Sequence, residues 1–335
     1  QLTPRASGFA RRGQPWFYAD DVAKGAVSPP RLVRVHDADG RDLGLGCTGM
    51  GKLVLRLSGP WPGHDVPDRE TFFQTRLRAA IDARAGRLGP DDGVRLVHGE
   101  GDWLPGLVVD RYGPVLVLQA TSMVVEQALD AIVPFLAKAL GAECVLARHD
   151  VAARKHDGLL PEVRLLHGKR LEAATFVEHG LRHTVHPFTG HKTGFYLDQR
   201  PARALVRELA KGRSVLDLFC YQGGFALNAL AGGASRADAV DQSEPPPRDR
   251  RCRTWLPRPQ PPGAAPAGPE RVPVDLHLQP PHDAAALRGA RAPGGGRVAV
   301  PRRAAAAARR RPGSSDADHA PGVGIPEGAA AAAAR

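Results

Sequence analysis

The chain has 335 residues and a net charge of +11, and it contains four cysteines and no run of roughly 18 consecutive apolar residues. This length allows two or three domains. Without an apolar span or a basic leader, the chain is predicted to be a soluble cytoplasmic protein with no membrane contact. The cysteines lack CxxC pairs and the histidines lack metal-ligand spacing, so we expect reduced thiols and no metal.

The positive charge lies mostly in the last 91 residues. Residues 245–335 hold 15 arginines, no lysine and seven acidic residues, which gives +8 and leaves +3 for residues 1–244. Bulk charge is therefore a poor argument for nucleic-acid binding by the first 244 residues. Any RNA affinity there has to come from local patches.

Residues 1 to about 75 show the pattern of a small β-rich module, because the apolar runs 32–35 and 53–57 alternate with turn residues. A helix follows over 68–88, where apolar residues recur at three-to-four spacing. The next part, to about residue 187, mixes both patterns. Strands are predicted at 94–97, 107–110, 115–119 and 144–147, a helix at 124–140, and a last hairpin at 174–177 and 181–186.

The stretch from Arg213 to Glu244 has the order strand, tight turn, helix, strand, which is half of a parallel nucleotide-binding sheet. Paired glycines in the turn let a ligand approach the backbone. An acidic residue that closes the second strand, Asp241, is suited to the hydroxyls of a ribose. The turn is not GxGxxG, so NAD is a weaker interpretation. With Asp217 placed to meet an ammonium group, the pattern favours S-adenosylmethionine, and a turn that binds no nucleotide stays open.

The segment Gly190 to Arg200, GHKTGFYLDQR, comes directly before this stretch. Together with the loop FCYQGGF it resembles the RlmI-like family of large-subunit ribosomal RNA cytosine-5 methyltransferases. The resemblance continues through 99–113, 150–155 and 178–180, and it covers residues 10 to 244.

The resemblance implies an α/β fold with three parts: a PUA-like β-barrel (1–75), a central α+β domain of EEHEE type (76–187), and a Rossmann-like class I methyltransferase domain that begins at 188 and is incomplete after Glu244. It implies S-adenosylmethionine as cofactor and ribosomal RNA of the large subunit as partner. The expected cofactor-binding residues are Asp217, Phe219, Cys220, Tyr221, Gly223, Gly224 and Asp241. The candidate RNA-binding residues are Arg11, Arg12, Arg154, Lys155, Lys192, Tyr196, Gln199 and Arg200.

Several of these RNA residues have simpler explanations. Arg11 and Arg12 are either phosphate contacts or solvated surface, and the neighbouring Trp16 either stacks on a base or belongs to the core. An exposed basic turn at 154–155 is usually only solvated. In the segment 190–200, a helix entry in which Asp198 caps and Tyr196 packs is the alternative to a role beside the cofactor.

The composition changes abruptly after Glu244. Residues 245–335 include 22 Ala, 17 Pro, 15 Arg and 10 Gly, with only 10 Ile, Leu, Val or Phe, so this tail is predicted to be low-complexity and disordered. The family's Asp-Pro-Pro motif and its Ser-Cys-Ser segment are both missing from the sequence. We therefore assign no catalytic residue, and a shifted reading frame in a GC-rich gene is our hypothesis for the change.

In the resembled family, catalysis begins when a cysteine thiolate adds to C6 of cytosine, because C5 alone is too poor a nucleophile. Without that cysteine, this chain is expected to be inactive. A non-catalytic RNA-binding protein that retains the first two domains is the alternative. The sequence names neither the target nucleotide nor the oligomeric state, and a homodimer is one option.

Overall fold

The computed structural model describes residues 1–25, 27–86, 89 and 92–241, together with the two strands 252–257 and 271–276. All of these belong to one compact unit, Gln1–His282. Among the described helices, none is both long enough and apolar enough to pass through a bilayer.

The first module is a four-stranded antiparallel sheet with strand order β1-β4-β3-β2. It packs around the buried side chains Phe17, Val35 and Leu55. A helix that the β-rich interpretation did not include precedes the sheet, and the hydroxyl of Thr3 caps its start by accepting the N–H of Ala6. The elements are α1 (Pro4–Arg11), β1 (Trp16–Tyr18), β2 (Leu32–His36), β3 (Asp42–Thr48) and β4 (Leu53–Gly59).

Helix α2 (Arg69–Ala85) joins the first module to the central one, close to the predicted range. The Asp68 carboxylate accepts the N–H of Thr71 and so fixes the N-terminus. One face of the helix buries Phe72, Phe73 and Leu77. They belong to a core cluster that also contains Leu45 of β3, so the two modules share apolar contacts.

The central domain is a five-stranded mixed sheet with order β5-β6-β7-β8-β9, in which only β7 and β8 run parallel. Two helices cover this sheet, whereas a single helix was predicted. Strand β9 was not predicted, because its side chains are mostly exposed and do not alternate. The elements are β5 (Gly93–His98), β6 (Leu107–Tyr112), β7 (Val115–Ala120), α3 (Met123–Glu126), α4 (Leu129–Leu140), β8 (Cys144–Arg148) and β9 (Val163–Gly168).

The predicted hairpin is present as β10 (Ala174–Glu178) and β11 (Leu181–Val185), but it forms its own two-stranded sheet rather than continuing the central one. His179 and Gly180 make the turn, and both have positive φ. The buried ring of Phe176 packs on Tyr112 of the central sheet. The hairpin therefore bridges the central domain and the following segment.

The last part begins with α5 (Arg200–Leu209), followed by β12 (Ser214–Leu218), α6 (Gly224–Ala231) and β13 (Arg236–Val240). β12 and β13 are parallel, which confirms the predicted strand, turn, helix, strand order. Leu216 and Leu218 of β12 remain 57 and 48% exposed. Parallel strands are normally covered on both faces, so this pair has the character of an incomplete sheet.

Beyond Asp241 the structure describes one antiparallel pair, β14 (Cys252–Pro257) and β15 (Arg271–Leu276). The expectation of a tail without regular structure does not hold for these two strands. The rest of that prediction falls on residues outside the described ranges.

A buried ion pair connects the first module to the central domain. The guanidinium of Arg56 on β4 donates to both carboxylate oxygens of Asp157 at 3.2 and 3.1 Å. Asp157 also accepts the backbone N–H of Met123 at 3.1 Å. Because both charged side chains are almost fully buried, removing either one would leave the other as a charge in a dry interior without its counter-charge.

Candidate functional site

The loop between β12 and α6 has an unusual backbone. Phe219, Tyr221 and Gly223 all have φ between 51 and 70°. A left-handed conformation is strained for residues with a Cβ, and such strain often occurs at binding sites. This alternating left-handed backbone turns the chain from β12 into α6 and leaves the ring of Phe219 75% exposed.

Two carboxylates flank this loop at the carboxyl ends of the parallel strands. Asp217 is buried and accepts the backbone N–H of Ala226 in α6 at 3.1 Å. Asp241 accepts the backbone N–H of Tyr221 at 2.5 Å. Burial raises the pKa of Asp217, and the negative charge of Asp241 adds to this effect.

These groups suit a cationic nucleoside ligand. A positively charged group beside Asp217 would offset the cost of burying its carboxylate. Asp241 stands where ribose hydroxyls are bound in sheets of this kind. A dinucleotide would instead bring its diphosphate close to two carboxylates. The residues present therefore fit S-adenosylmethionine, which carries an α-ammonium group and a positively charged sulfonium.

Cys220 lies in the same loop but does not have the properties of a nucleophile. Its side chain is buried, and burial raises the pKa of its thiol to about 12, with Asp217 and Asp241 contributing. A thiol with such a pKa is almost entirely protonated at neutral pH and therefore unreactive.

The segment 190–200 is brought against this loop by Tyr221. The hydroxyl of Tyr221 donates to the carbonyl of Gly194 at 3.0 Å and accepts the backbone N–H of His191 at 3.1 Å. The ring of Tyr196 makes an edge contact with Tyr221 at 5.7 Å, and its hydroxyl lies 3.0 Å from Nδ1 of His191. The Lys192 ammonium lies 4.8 Å from the centre of the Tyr196 ring.

Sequence reasoning missed the side chain that connects these elements. Arg203 of α5 is 2% exposed and donates two hydrogen bonds to Glu178 of the hairpin, at 2.5 and 2.9 Å. It also donates to the carbonyl of Tyr196 and stacks on Phe195 at 4.6 Å. A Cβ on Gly224, the first residue of α6, would lie only 3.2 Å from the Arg203 side chain. The amphipathic pattern of α5 can be recognised in the sequence, but the pairing of Arg203 with Glu178 cannot.

The predicted RNA residues are scattered. Arg11 pairs with Asp37 at 3.1 Å, and Arg12 lies over the Phe9 ring at 5.1 Å. Trp16 is 44% exposed and not part of the core. Its indole N–H donates to Glu100 of the central domain at 2.9 Å.

Arg154 is placed differently from the expected exposed basic turn. Its side chain is 3% exposed and donates to the carbonyls of Leu160 and Ala120 and to the Glu126 carboxylate. These contacts hold the Arg154 side chain in the interior. Lys155 is exposed, as is Gln199.

Arg154 also takes part in an ionic cluster around His149. This buried histidine has its Nδ1 at 3.3 Å from Glu162 and 3.8 Å from Glu126. These three ligand atoms lie close enough to one another to hold a metal ion. However, Arg154 and Arg164 already pair with both carboxylates. Because the arginines supply the charge that a cation would bring, the cluster serves as a structural ion network.

These features define a class: a SAM-dependent methyltransferase domain preceded by a PUA-like module. A family model described as "S-adenosylmethionine-dependent methyltransferase" matches residues 89–255, and a PUA-like domain model matches residues 1–57. The first match runs past Glu244, where the motif resemblance ends.

Similar proteins of known name identify the family within this class. The chain is 36% identical over 249 residues to the ribosomal RNA large subunit methyltransferase I of Shewanella frigidimarina, covering 72% of this chain and 62% of the relative. It is 35% identical over 238 residues to the protein of the same name from Erwinia tasmaniensis, covering 70 and 60%. The chain belongs to the RlmI-like family of S-adenosylmethionine-dependent methyltransferases. It spans about three fifths of the length of these relatives.

Two solved structures have the same fold. A SAM-dependent methyltransferase from Streptococcus mutans aligns with a TM-score of 0.58 at 24% identity, over 72% of this chain and 63% of its own. SMU.776, a methyltransferase complexed with SAH, aligns with a TM-score of 0.59 at 23% identity, over 72 and 62%. At these identities the similarity establishes the fold.

Proposed function

We propose that this chain binds S-adenosylmethionine and belongs to an enzyme that methylates C5 of a cytosine in large-subunit ribosomal RNA in the cytoplasm. The pair of carboxylates, Asp217 and Asp241, on either side of the left-handed loop carries this proposal. Asp217 holds the ammonium end and Asp241 the ribose. The cofactor, when bound, supplies the methyl group.

The residues around the loop have distinct roles in this proposal. Tyr221 fixes the loop against the segment 190–200 through its two backbone hydrogen bonds. Tyr196 and the exposed ring of Phe219 offer aromatic faces on which a target base can stack. Lys192 and Arg200 provide positive charge for the RNA backbone. The names of the relatives and the PUA-like module support ribosomal RNA as the substrate, and the motif resemblance of the sequence supports C5 of cytosine as the target.

We further propose that the chain in this form binds the cofactor but does not transfer the methyl group. Asp-Pro-Pro and Ser-Cys-Ser motifs are absent from its sequence. The elevated thiol pKa of Cys220 supports the same conclusion, because that cysteine is a poor replacement for the missing nucleophile. A non-catalytic RNA-binding protein is the second candidate, and the exposed indole of Trp16 favours it.

The test separates cofactor binding from transfer. Equilibrium dialysis with tritiated S-adenosylmethionine should show uptake by the full chain and reduced uptake by Asp241→Asn. Incubation with large-subunit ribosomal RNA should then leave no label on the RNA. RNA binding without cofactor uptake would support the second candidate, whereas label on the RNA would refute the inactivity.

A sequencing experiment tests the origin of the tail. If the gene is resequenced across codon 244, the proposal expects another frame to encode Asp-Pro-Pro followed by Ser-Cys-Ser. The joined protein should then methylate the RNA, and a Cys220→Ser variant of it should be as active as its parent. A confirmed frame with no such motifs would remove the catalytic part of the proposal.

A further inference from the structure

A surface pocket of about 310 Å³ lies between the central domain and the segment 190–200. This segment leads towards the loop between β12 and α6, residues 219–223, which is called the cofactor loop below. Its basic lining comes from Arg84 at the end of α2, Arg95 and His98 of β5, and Arg200 at the start of α5. Val94 and Leu197 add apolar surface. We propose that this pocket binds a phosphate of the substrate RNA backbone, an inference that rests on the proposed function.

Two of the arginines are rigidly held. Arg84 donates to both carboxylate oxygens of Asp102 at 2.9 and 2.8 Å, and Arg95 donates to both of Asp110 at 2.8 Å. The Asp110 side chain is fully buried, whereas 35% of the Arg95 side chain stays exposed. The carboxylates therefore orient both guanidinium groups. Arg84 also donates to the backbone carbonyls of Ala80 and Arg95, so Arg95 is the one of the two that offers an exposed positive edge.

The guanidinium of Arg200 has N–H donors that make no hydrogen bond among the described residues. Its Nε lies 3.5 Å from Glu178 and one terminal nitrogen lies 3.6 Å from Asp92. Among the described residues its guanidinium makes no hydrogen bond, and its buried Nε is one of the polar atoms without a partner. Glu178 is already paired with Arg203 at 2.5 Å. Because the Nε is buried, it is the terminal nitrogens of this 24% exposed side chain that can donate to an anion without breaking an existing hydrogen bond.

The position of the pocket favours RNA over a free anion. On one side, Glu100 accepts the indole N–H of Trp16 from the first module, and Asp102 of the same turn holds Arg84. On the other side, Arg200 follows the turn that contains Tyr196, next to the cofactor loop. An RNA strand that passes from the PUA-like module to the cofactor crosses this pocket. A phosphodiester is the group that such a strand presents to guanidinium donors.

Asp198 is the acidic side chain among the lining residues. Its carboxylate is exposed, so it repels an anion bound nearby. The proposal therefore predicts opposite effects for two neighbouring positions. Arg200→Gln weakens RNA binding, whereas Asp198→Asn strengthens it.

The test is fluorescence anisotropy of the full chain with a labelled single-stranded RNA of about ten nucleotides, over a series of salt concentrations. Arg200→Gln should lower the affinity about tenfold at low salt. It should also reduce the log–log salt slope by about 0.7, the value for one phosphate contact. His98→Ala, which removes a hydrogen-bond donor from an exposed position in the lining, should also lower the affinity. Arg236→Gln is the matched control, because it removes the same charge from the first residue of β13, at the end of that strand away from Asp241 and the cofactor loop.

The outcomes distinguish this inference from the proposed function. Wild-type affinity and salt slope in Arg200→Gln, or weaker binding by Asp198→Asn, would overturn the pocket alone, because RNA binding by the wild type would stand. No RNA binding by the wild type would overturn both the pocket and the RNA part of the proposed function. If Arg200→Gln does not fold, the variants at the exposed residues Asp198 and His98 decide whether the pocket binds RNA.

Discussion

Replacing Arg203 by methionine tests the structural connection around the cofactor loop. The buried guanidinium of Arg203 neutralises Glu178, which is itself fully buried. It also holds the carbonyl of Tyr196 and packs between Phe195 and Phe225. Methionine keeps much of the apolar packing but removes the charge and the hydrogen bonds.

The expected loss in the free energy of unfolding is about 3–5 kcal/mol, because Glu178 is left as a buried charge without its main partner. The nearby Arg200 lies 3.5 Å from Glu178 and recovers only part of this. The double variant Arg203→Met with Glu178→Met removes both charges and should regain most of the stability. Together with the single variant Glu178→Met, these free energies complete a double-mutant cycle and give the coupling energy between the two positions.

Urea unfolding followed by circular dichroism measures these free energies. Arg236→Met is the matched control, because its ion pair with Asp238 is exposed and its loss should leave the unfolding midpoint unchanged. A loss below about 1 kcal/mol for Arg203→Met, or a double variant as unstable as the single one, would refute the buried-charge argument.

Three further results are expected. Because burial raises the pKa of Asp217, S-adenosylmethionine affinity should fall as the pH is lowered through that raised value, and Asp217→Asn should bind weakly with little pH dependence, as measured by titration calorimetry. Tyr221→Phe removes the hydrogen bonds to Gly194 and from His191 and should weaken cofactor binding roughly tenfold in the same assay. Arg56→Met leaves Asp157 buried without its counter-charge and should cost about 3–5 kcal/mol in urea unfolding, whereas unchanged stability would contradict the buried pair.

Local patterns predicted the parts of the site that are contiguous in sequence. The strand, glycine turn and helix around 213–241 follow from short-range periodicity and from the backbone freedom of Gly223. Helix α1 was missed although the signals were present, since Thr3 and Pro4 form a typical helix start. Its eight residues lie in a region dominated by strand patterns.

Contacts between distant positions could not be predicted in this way. The partner of Arg203 lies 25 residues earlier on another element, and that of Arg56 lies 101 residues later. The same limit explains Arg154, which appears as part of a basic turn in the sequence but is buried by contacts with Ala120 and Glu126. Only the tertiary fold decides which of two adjacent basic residues faces the solvent.

The most direct test of the central claim is calorimetric titration of the full chain with S-adenosylmethionine, with NADH as the comparison ligand. The account predicts saturable binding of one S-adenosylmethionine per chain, weakened by Asp241→Asn, and no binding of NADH. Failure of the folded wild-type chain to bind S-adenosylmethionine, or equal binding by Asp241→Asn, would contradict the assignment of this loop as the cofactor site.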